Sequence, residues 1–202
     1  VWEEHNRNRV FIPPDFIGKS KSQSIKGLIE QYYPNVEVEA YKERAQEVPE
    51  SVYADSDILI VGPDNITTRV FGNRLALRLT KPAVFPGAGI DSKDNRLSVM
   101  GGSIQVVIPD NSPCYECVAS INQLDIMRET LDPATKKKLT EKYGLGDLLD
   151  IPTTPSIACL NDVIGGVTLW EIMKLITGIE PSTYYQIYDA LKAELKPVKI
   201  TK

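Results

Sequence analysis

The chain has one histidine and three cysteines in 202 residues. So few cysteines exclude a disulfide framework and point to a reducing compartment, so a cytoplasmic location is expected. No apolar run approaches the ~18 residues that a membrane-spanning helix requires, so no membrane partner is expected. An excess of positive charge is lacking too. Lys and Arg number 23 against 27 Asp and Glu, for a net charge of −4, which gives nucleic acid no electrostatic footprint. The one basic run, Lys136-Lys137-Lys138, leads into "LTEKYG" and reads as a solvated helix face. The first residues, "VWEEHNRNR", are charged and show no signal-peptide pattern. Internal repeats and low-complexity linkers are also missing. Against these absences, 42% hydrophobic and 25% charged residues are ordinary for a globular chain long enough to bury a core.

Periodicity supplies the elements. "SIKGLIEQYYP" spaces Ile25, Leu28, Ile29 and Tyr32 as one face of a helix that stops before Pro34. "NVEVEAY" alternates apolar and polar residues, the pattern of a half-exposed strand. "DILIVG" (57–62) is continuously apolar, the pattern of a strand buried on both faces. Asp64 or Asn65 can cap the next helix, which carries Val70, Phe71, Leu75 and Leu79. Short strands are expected at "KPAVFPGAG" (81–89) and "SIQVVIP" (103–109). Residues 20–90 thus read helix–strand–strand–helix–strand, half of an open α/β sheet. Asp132-Pro133 is a cap followed by a first-turn proline. A Gly- and Pro-punctuated link (144–155) leads to "NDVIGGVTLWEIMKLITG", apolar nearly all round, expected to be buried and to stop at Gly178. "TYYQIYDAL" and "ELKPVKIT" look like two neighbouring strands.

Ligands of open α/β sheets bind where strands end, so the loop after "DILIVG" is the first candidate site. Its Gly62-Pro63-Asp64-Asn65 offers a turn and then a carboxylate at a helix start, which either caps the helix or holds a divalent metal on a nucleotide triphosphate. Cys114-x-x-Cys117 has the spacing of half a tetrahedral zinc site.

Six fragments occur in a fixed order: "NRNR" (6–9), "IGKSK" (17–21), "DILIVGPDNITTR" (57–69), "KPAVFPGAG" (81–89), "IPDNSPCYEC" (108–117) and "GGVTLWEIMKLITG" (165–178). Together they resemble the ThiF/MoeB/HesA superfamily, the adenylating relatives of ubiquitin-activating enzymes. The resemblance implies a Rossmann-like α/β sheet with flanking helices and C-terminal strands. It implies ATP- and magnesium-dependent adenylation of the C-terminal carboxylate of a ubiquitin-like or sulfur-carrier protein ending in Gly-Gly, or of a peptide, by a homodimer. In its terms Asn6 and Arg9 belong to the family's asparagine–arginine motif, and Lys21 is the lysine that reaches the phosphates, Lys19 being solvated. Asp64 is the essential aspartate and magnesium ligand, with Asn65 beside it. The implied catalytic set is Arg9, Lys21 and Asp64, with Asn6 and Asn65 completing the ATP site. Arg69 orients the loop. The whole of 1–202 corresponds to one partial adenylation domain, with 118–155 as its crossover segment.

The departures from the family pattern are specific. The glycine-rich turn that brings amides to phosphate, and the acidic residue that takes the ribose, are not found. A sheet lacking those first strands would leave "DILIVG" as an unpaired apolar edge. The expectation is a fragment of a longer polypeptide, incomplete at its N-terminus and inactive without the phosphate loop. In the family a second C-x-x-C follows the last strands, so Cys114 and Cys117 are expected to be half of a structural zinc site in the full-length protein. Neither His5 nor Cys159 suits as a partner. Val10 stands where many relatives have glutamine. Cys159, between Ala158 and Leu160, reads as a small buried hydrophobe rather than a thioester nucleophile. The alternative function is a non-catalytic partner subunit or docking module of an activating-enzyme heterodimer. Nicotinamide chemistry is the weakest reading, since nothing after "DILIVG" supports hydride transfer.

Overall fold

The computed structural model describes residues 1–94, 96–149 and 155–200. The expected α/β architecture is present. Its centre is a five-stranded sheet in the order β1 (Leu59–Ile60), β2 (Ala83–Lys93), β3 (Arg96–Val107), β4 (Tyr185–Asp189) and β5 (Glu194–Pro197). β1 and β2 are parallel and joined through helix α3 (Ile66–Leu79), whereas β2–β5 are antiparallel neighbours. Helix α1 (Lys21–Tyr32) and the short α2 (Glu50–Ala54) precede the sheet. The helices α4 (Tyr115–Ala119), α5 (Gln123–Thr130), α6 (Pro133–Tyr143) and α7 (Gly146–Leu149) follow β3 and lead to α8 (Ala158–Thr177).

Side chains that alternate along β2 divide the core between two helices. On one face Ala83, Phe85 and Val107 pack with Leu59, Val61, Leu75 and Ala76, the last two from α3. On the other, Val84, Ile104 and Val106 pack against Ile164 of α8. Contact is close at several glycines. A Cβ at Gly72 would lie 2.8 Å from the Val61 methyls, and one at Gly102 would lie 2.3 Å from the Gly87 carbonyl oxygen and 2.6 Å from Ile164 Cδ1. Pro86 is accommodated in β2 because β1 ends opposite Val84, so no strand on that side asks for its missing N–H. Buried Glu171 of α8 accepts from Lys174 Nζ (2.8 Å), Gln186 Nε2 (2.6 Å) and Thr183 N (3.1 Å), which satisfies its charge and ties α8 to β4.

Several expectations need correction. "NVEVEAY" forms no strand. Among the described residues no strand pairs with it, and side chains of α1 take its carbonyls instead, Gln23 Nε2 reaching Ala40 O at 2.8 Å and Lys26 Nζ reaching Val38 O. "DILIVG" contributes only the two-residue β1, and Ile60 is 59% exposed. Among the described residues β1 pairs with β2 alone, so it is the sheet edge expected above; what fails is the burial of both its faces. α8 ends at Gly178 as expected, but only one face is covered; Leu169, Trp170, Met173 and Ile176 are exposed. Cys159 is likewise exposed, on the first turn of α8. The expected strands at 81–89 and 103–109 are the paired β2 and β3, longer than their apolar cores. Residues 150–154, within the expected link and crossover segment, lie outside the described residues.

Candidate functional site

The candidate site forms where the turn around Asn6 meets the loop after β1, and a third segment, the start of α1, is joined to that turn through Trp2. The first is the turn around Asn6. Asn6 is buried, and its Oδ1 accepts from Glu3 N (3.0 Å) while its carbonyl accepts from Arg9 N (2.9 Å). This fixes the backbone of Arg9 from within. From outside, Asn161 on α8 donates to the Arg9 carbonyl (2.7 Å) and is itself held to Ser156 Oγ at 2.6 Å. A short asparagine on a long buried-face helix thus anchors a turn more than a hundred residues away in sequence, which no local pattern reveals.

The second segment is the Pro63–Thr68 loop and the start of α3. Asn65, not Asp64, is the cap: its Oδ1 accepts from Thr68 N at 2.8 Å. The Asp64 carboxylate is therefore free of backbone duty, and its side chain is 89% exposed. It faces Arg9, with Arg9 Nη1 3.8 Å from Asp64 Oδ2. Arg69 shapes the loop rather than the open space. Its Nε donates to Pro63 O (2.7 Å), its Nη2 donates to Pro86 O, and its guanidinium lies 5.7 Å from the centre of the Tyr115 ring.

Lys21 opens α1 and is exposed, its Nζ 5.4 Å from the centre of the buried Trp2 ring. The Trp2 backbone pairs with the segment before α1: Trp2 N donates to Lys19 O and Gly18 N donates to Trp2 O, both at 2.8 Å. The residues around Asn6 and those leading into Lys21 are thereby one folded unit. Lys19 instead makes an exposed ion pair with Asp15 (2.9 Å). Of the expected residues, the structure brings Arg9 and Asp64 together, uses Asn6 and Asn65 as backbone supports, and places Lys21 beside Trp2. Trp2, Asn161 and Glu129, the last on α5 and accepting from Ile66 N and Thr67 N, are supporting residues that sequence reasoning missed, because each acts through contacts distant in sequence.

The cysteines lie at the start of α4, Cys114 at its N-cap and Cys117 within it, with the two Sγ atoms 3.1 Å apart. The Cys114 sulfur raises the Cys117 thiol pKa above its ordinary value through hydrogen bonding first and charge second. α4 is pinned to α3. Tyr115 N donates to Asn73 Oδ1 (2.9 Å), Asn73 Nδ2 donates to Glu116 Oε1 (3.1 Å), and Arg74 forms a two-pronged pair with Glu116 (3.1 and 2.9 Å). Arg74 holds the Glu116 carboxyl below its ordinary pKa. Two thiols on a pinned turn suit half of a tetrahedral zinc site. Among the described residues no group of three His, Cys, Asp or Glu side chains gathers to hold a metal, and neither His5 nor Cys159 joins the pair.

A cavity of about 620 Å³ opens on the α3 face of β2, β3 and β4, lined by Arg69, Gly87, Gly101, Ser103, Tyr115 and Ile187 among others. It shares Arg69 with the Asp64 loop. Among the described residues no helix is long and apolar enough to cross a membrane.

The comparisons with known proteins agree with this architecture. The chain is 30% identical over 130 residues to the NEDD8-activating enzyme E1 catalytic subunit of Saccharomyces cerevisiae, covering 64% of this chain and 42% of that protein. It is 26% identical over 146 residues to ubiquitin-like modifier-activating enzyme 5 of Dictyostelium discoideum, covering 66% of this chain and 35% of that protein. The chain therefore spans well under half the length of these relatives. Among solved structures, the microcin C7 biosynthetic enzyme MccB in complex with N-formylated MccA superposes with a TM-score of 0.68 at 17% identity, covering 96% of this chain and 53% of that one. Escherichia coli MccB with ATP superposes with a TM-score of 0.64 at 16% identity, over 96% of this chain and 52% of that one. The ThiF family model matches residues 1–202, so the chain belongs to the ThiF family.

Proposed function

We propose that the full-length protein uses ATP and magnesium to adenylate the C-terminal carboxylate of a ubiquitin-like or sulfur-carrier protein ending in Gly-Gly, or of a peptide. The observation that carries this reading is the exposed Arg9–Asp64 pair, one cation and one carboxylate held by backbone supports and otherwise uncommitted. In this reaction a carboxylate oxygen attacks the α-phosphorus of ATP, the bond to the β-phosphate oxygen breaks, and pyrophosphate leaves. Positioning and neutralisation of charge carry most of such catalysis. Arg9 and Lys21 supply cationic donors for the phosphate oxygens, with Asn6 and Asn65 holding the two loops in place. Asp64 suits Mg²⁺, which takes one or two carboxylates together with phosphate oxygens, and when bound the ion neutralises charge on the leaving pyrophosphate. The cavity beside Arg69 is where the acceptor tail would lie.

Three further parts belong to the same proposal. Residues 1–202 act as one adenylation domain with 118–155 as its crossover segment. Cys114 and Cys117 furnish two ligands of a structural zinc ion in the full-length protein. The exposed apolar face of α8 supports pairing of two copies, and the working location is the cytoplasm. The non-catalytic alternative is less well supported, because a subunit without an ATP site has no need to retain all three of Arg9, Lys21 and Asp64.

The test is ATP–pyrophosphate exchange by the full-length protein with a carrier protein or peptide. Exchange that depends on a free C-terminal carboxylate and disappears when that terminus is amidated supports the reading. Absence of exchange with a panel of such acceptors, together with absence of ATP binding, rejects it.

A further inference from the structure

The amides at the start of α3 are already occupied, and the occupant comes from a distant helix. A helix start leaves four backbone N–H groups unpaired and attracts anions such as phosphate. Here the carboxylate of Glu129, on α5, bridges the first two. Its Oε1 accepts from Ile66 N (2.6 Å) and its Oε2 from Thr67 N (2.7 Å), with Thr67 Oγ1 also 2.9 Å from Oε2. Asn65 Oδ1 takes the third, Thr68 N, at 2.8 Å. This start of α3 is thus closed to phosphate by the protein itself. The residue left outside the closure, immediately before Asn65, is Asp64, whose carboxylate faces Arg9.

We propose that Glu129 is a positioning residue for Asp64: by clamping the first turn of α3 it fixes the direction of the Asp64 carboxylate, so that the nucleotide site is competent only while α5 is docked on α3. The inference rests on the proposed role of Asp64 in Mg–ATP binding. Hydrogen bonds to an ionised group are the strong ones, and three converge here. When they are lost, the first turn samples other arrangements, and only a fraction of molecules hold Asp64 ready. Apparent affinity falls by that fraction, and saturating ligand restores the rate. The signature is therefore a raised KM for Mg–ATP with kcat little changed. A merely structural clamp would lower Tm and leave KM alone.

The test uses the full-length protein and compares wild type, Glu129→Ala, Glu129→Gln and Asp64→Ala. Amide exchange at Ile66 and Thr67 and the Mg–ATP dependence of pyrophosphate exchange are measured for each. The expected result for Glu129→Ala is faster exchange of both amides and a rise in KM of about tenfold or more, the size expected from losing charged hydrogen bonds. Glu129→Gln, which keeps an oxygen acceptor, recovers part of the loss, and it gives the same reading should the alanine variant unfold. Faster amide exchange with an unchanged KM overturns the inference, as does an unchanged amide exchange rate. The two levels separate at Asp64. If Asp64→Ala is inactive while Glu129→Ala has wild-type KM, the clamp inference alone fails; if Asp64→Ala is fully active, the reading of the site fails first.

Discussion

Arg9 Nη1 lies 3.8 Å from Asp64 Oδ2, and both side chains are open to solvent. An exposed pair at this distance is worth about 0–1 kcal/mol to the fold. Its stability value is therefore small, and what the proposed function asks of it is chemical: a cation and a carboxylate presented together. Arg9→Ala is expected to change unfolding free energy by less than about 1 kcal/mol and to lower kcat/KM for ATP–pyrophosphate exchange by roughly 10²-fold, the scale for removing one transition-state donor. Chemical denaturation and exchange kinetics on the same preparation check both halves.

Asp64 and its neighbour divide two tasks that sequence alone leaves open. Asn65 caps α3 through Thr68 N, and Asp64 has no share in that bond. Asn65→Ala should lower stability by about 1 kcal/mol, whereas Asp64→Ala should leave it within ~0.5 kcal/mol. Thermal melts of the two variants, compared with wild type, read the difference directly. Equal destabilisation by both would mean that Asp64 also supports the helix.

The Arg74–Glu116 pair gives a pH signature. Arg74 depresses the folded-state pKa of Glu116, opposed in part by burial. A depressed carboxyl stabilises the fold above its unfolded value, about 4.3, and that contribution is lost as pH falls through the folded value. Because Arg74 is 64% exposed, solvent screening keeps the effect to about 1 kcal/mol or less. Glu116→Gln should therefore be less stable than wild type at pH 7, and the gap should close as pH falls below about 4. Urea titrations at a series of pH values measure it; a gap that widens on acidification contradicts the pairing.

Zinc tests the cysteine turn. The full-length protein is expected to carry about one zinc ion per chain in the tetrahedral, thiolate-rich manner of structural sites. Cys114→Ser and Cys117→Ser should each release it and lower Tm, while Cys159→Ser should change neither. The 202-residue chain by itself should hold zinc weakly, since no third ligand gathers near the pair among the described residues. Metal analysis after dialysis decides this, and stoichiometric tight zinc that depends on Cys159 and His5 contradicts it.

What could be read from the sequence was local. The helix over Lys21–Tyr32, the Asp132-Pro133 start of α6, the Gly178 stop of α8 and the β4–β5 pair all follow from periodicity, caps and turn residues. Arg9 and Asp64, far apart in sequence, are picked out through the order of the six fragments, and the fold places them 3.8 Å apart, with Lys21 beside Trp2. The failures share a cause. "NVEVEAY" has strand periodicity, but a strand also needs a neighbour, and α1 takes its carbonyls instead. α8 is apolar nearly all round, yet the sheet covers only one face, leaving Trp170 52% exposed. Glu129, Asn161 and Trp2 have no local signature, since each acts on a segment that the fold brings to it.

The most direct measurement is ATP–pyrophosphate exchange by the full-length protein carrying Asp64→Ala, run beside Asn65→Ala and wild type at saturating acceptor. A loss of roughly 10²-fold or more in kcat/KM is expected for Asp64→Ala, with its Tm unchanged, and for Asn65→Ala a lowered melting temperature with a smaller loss of exchange, since Asn65 holds the loop without presenting a charge to the nucleotide. A wild-type exchange rate in Asp64→Ala would contradict the assignment of this loop as the nucleotide site.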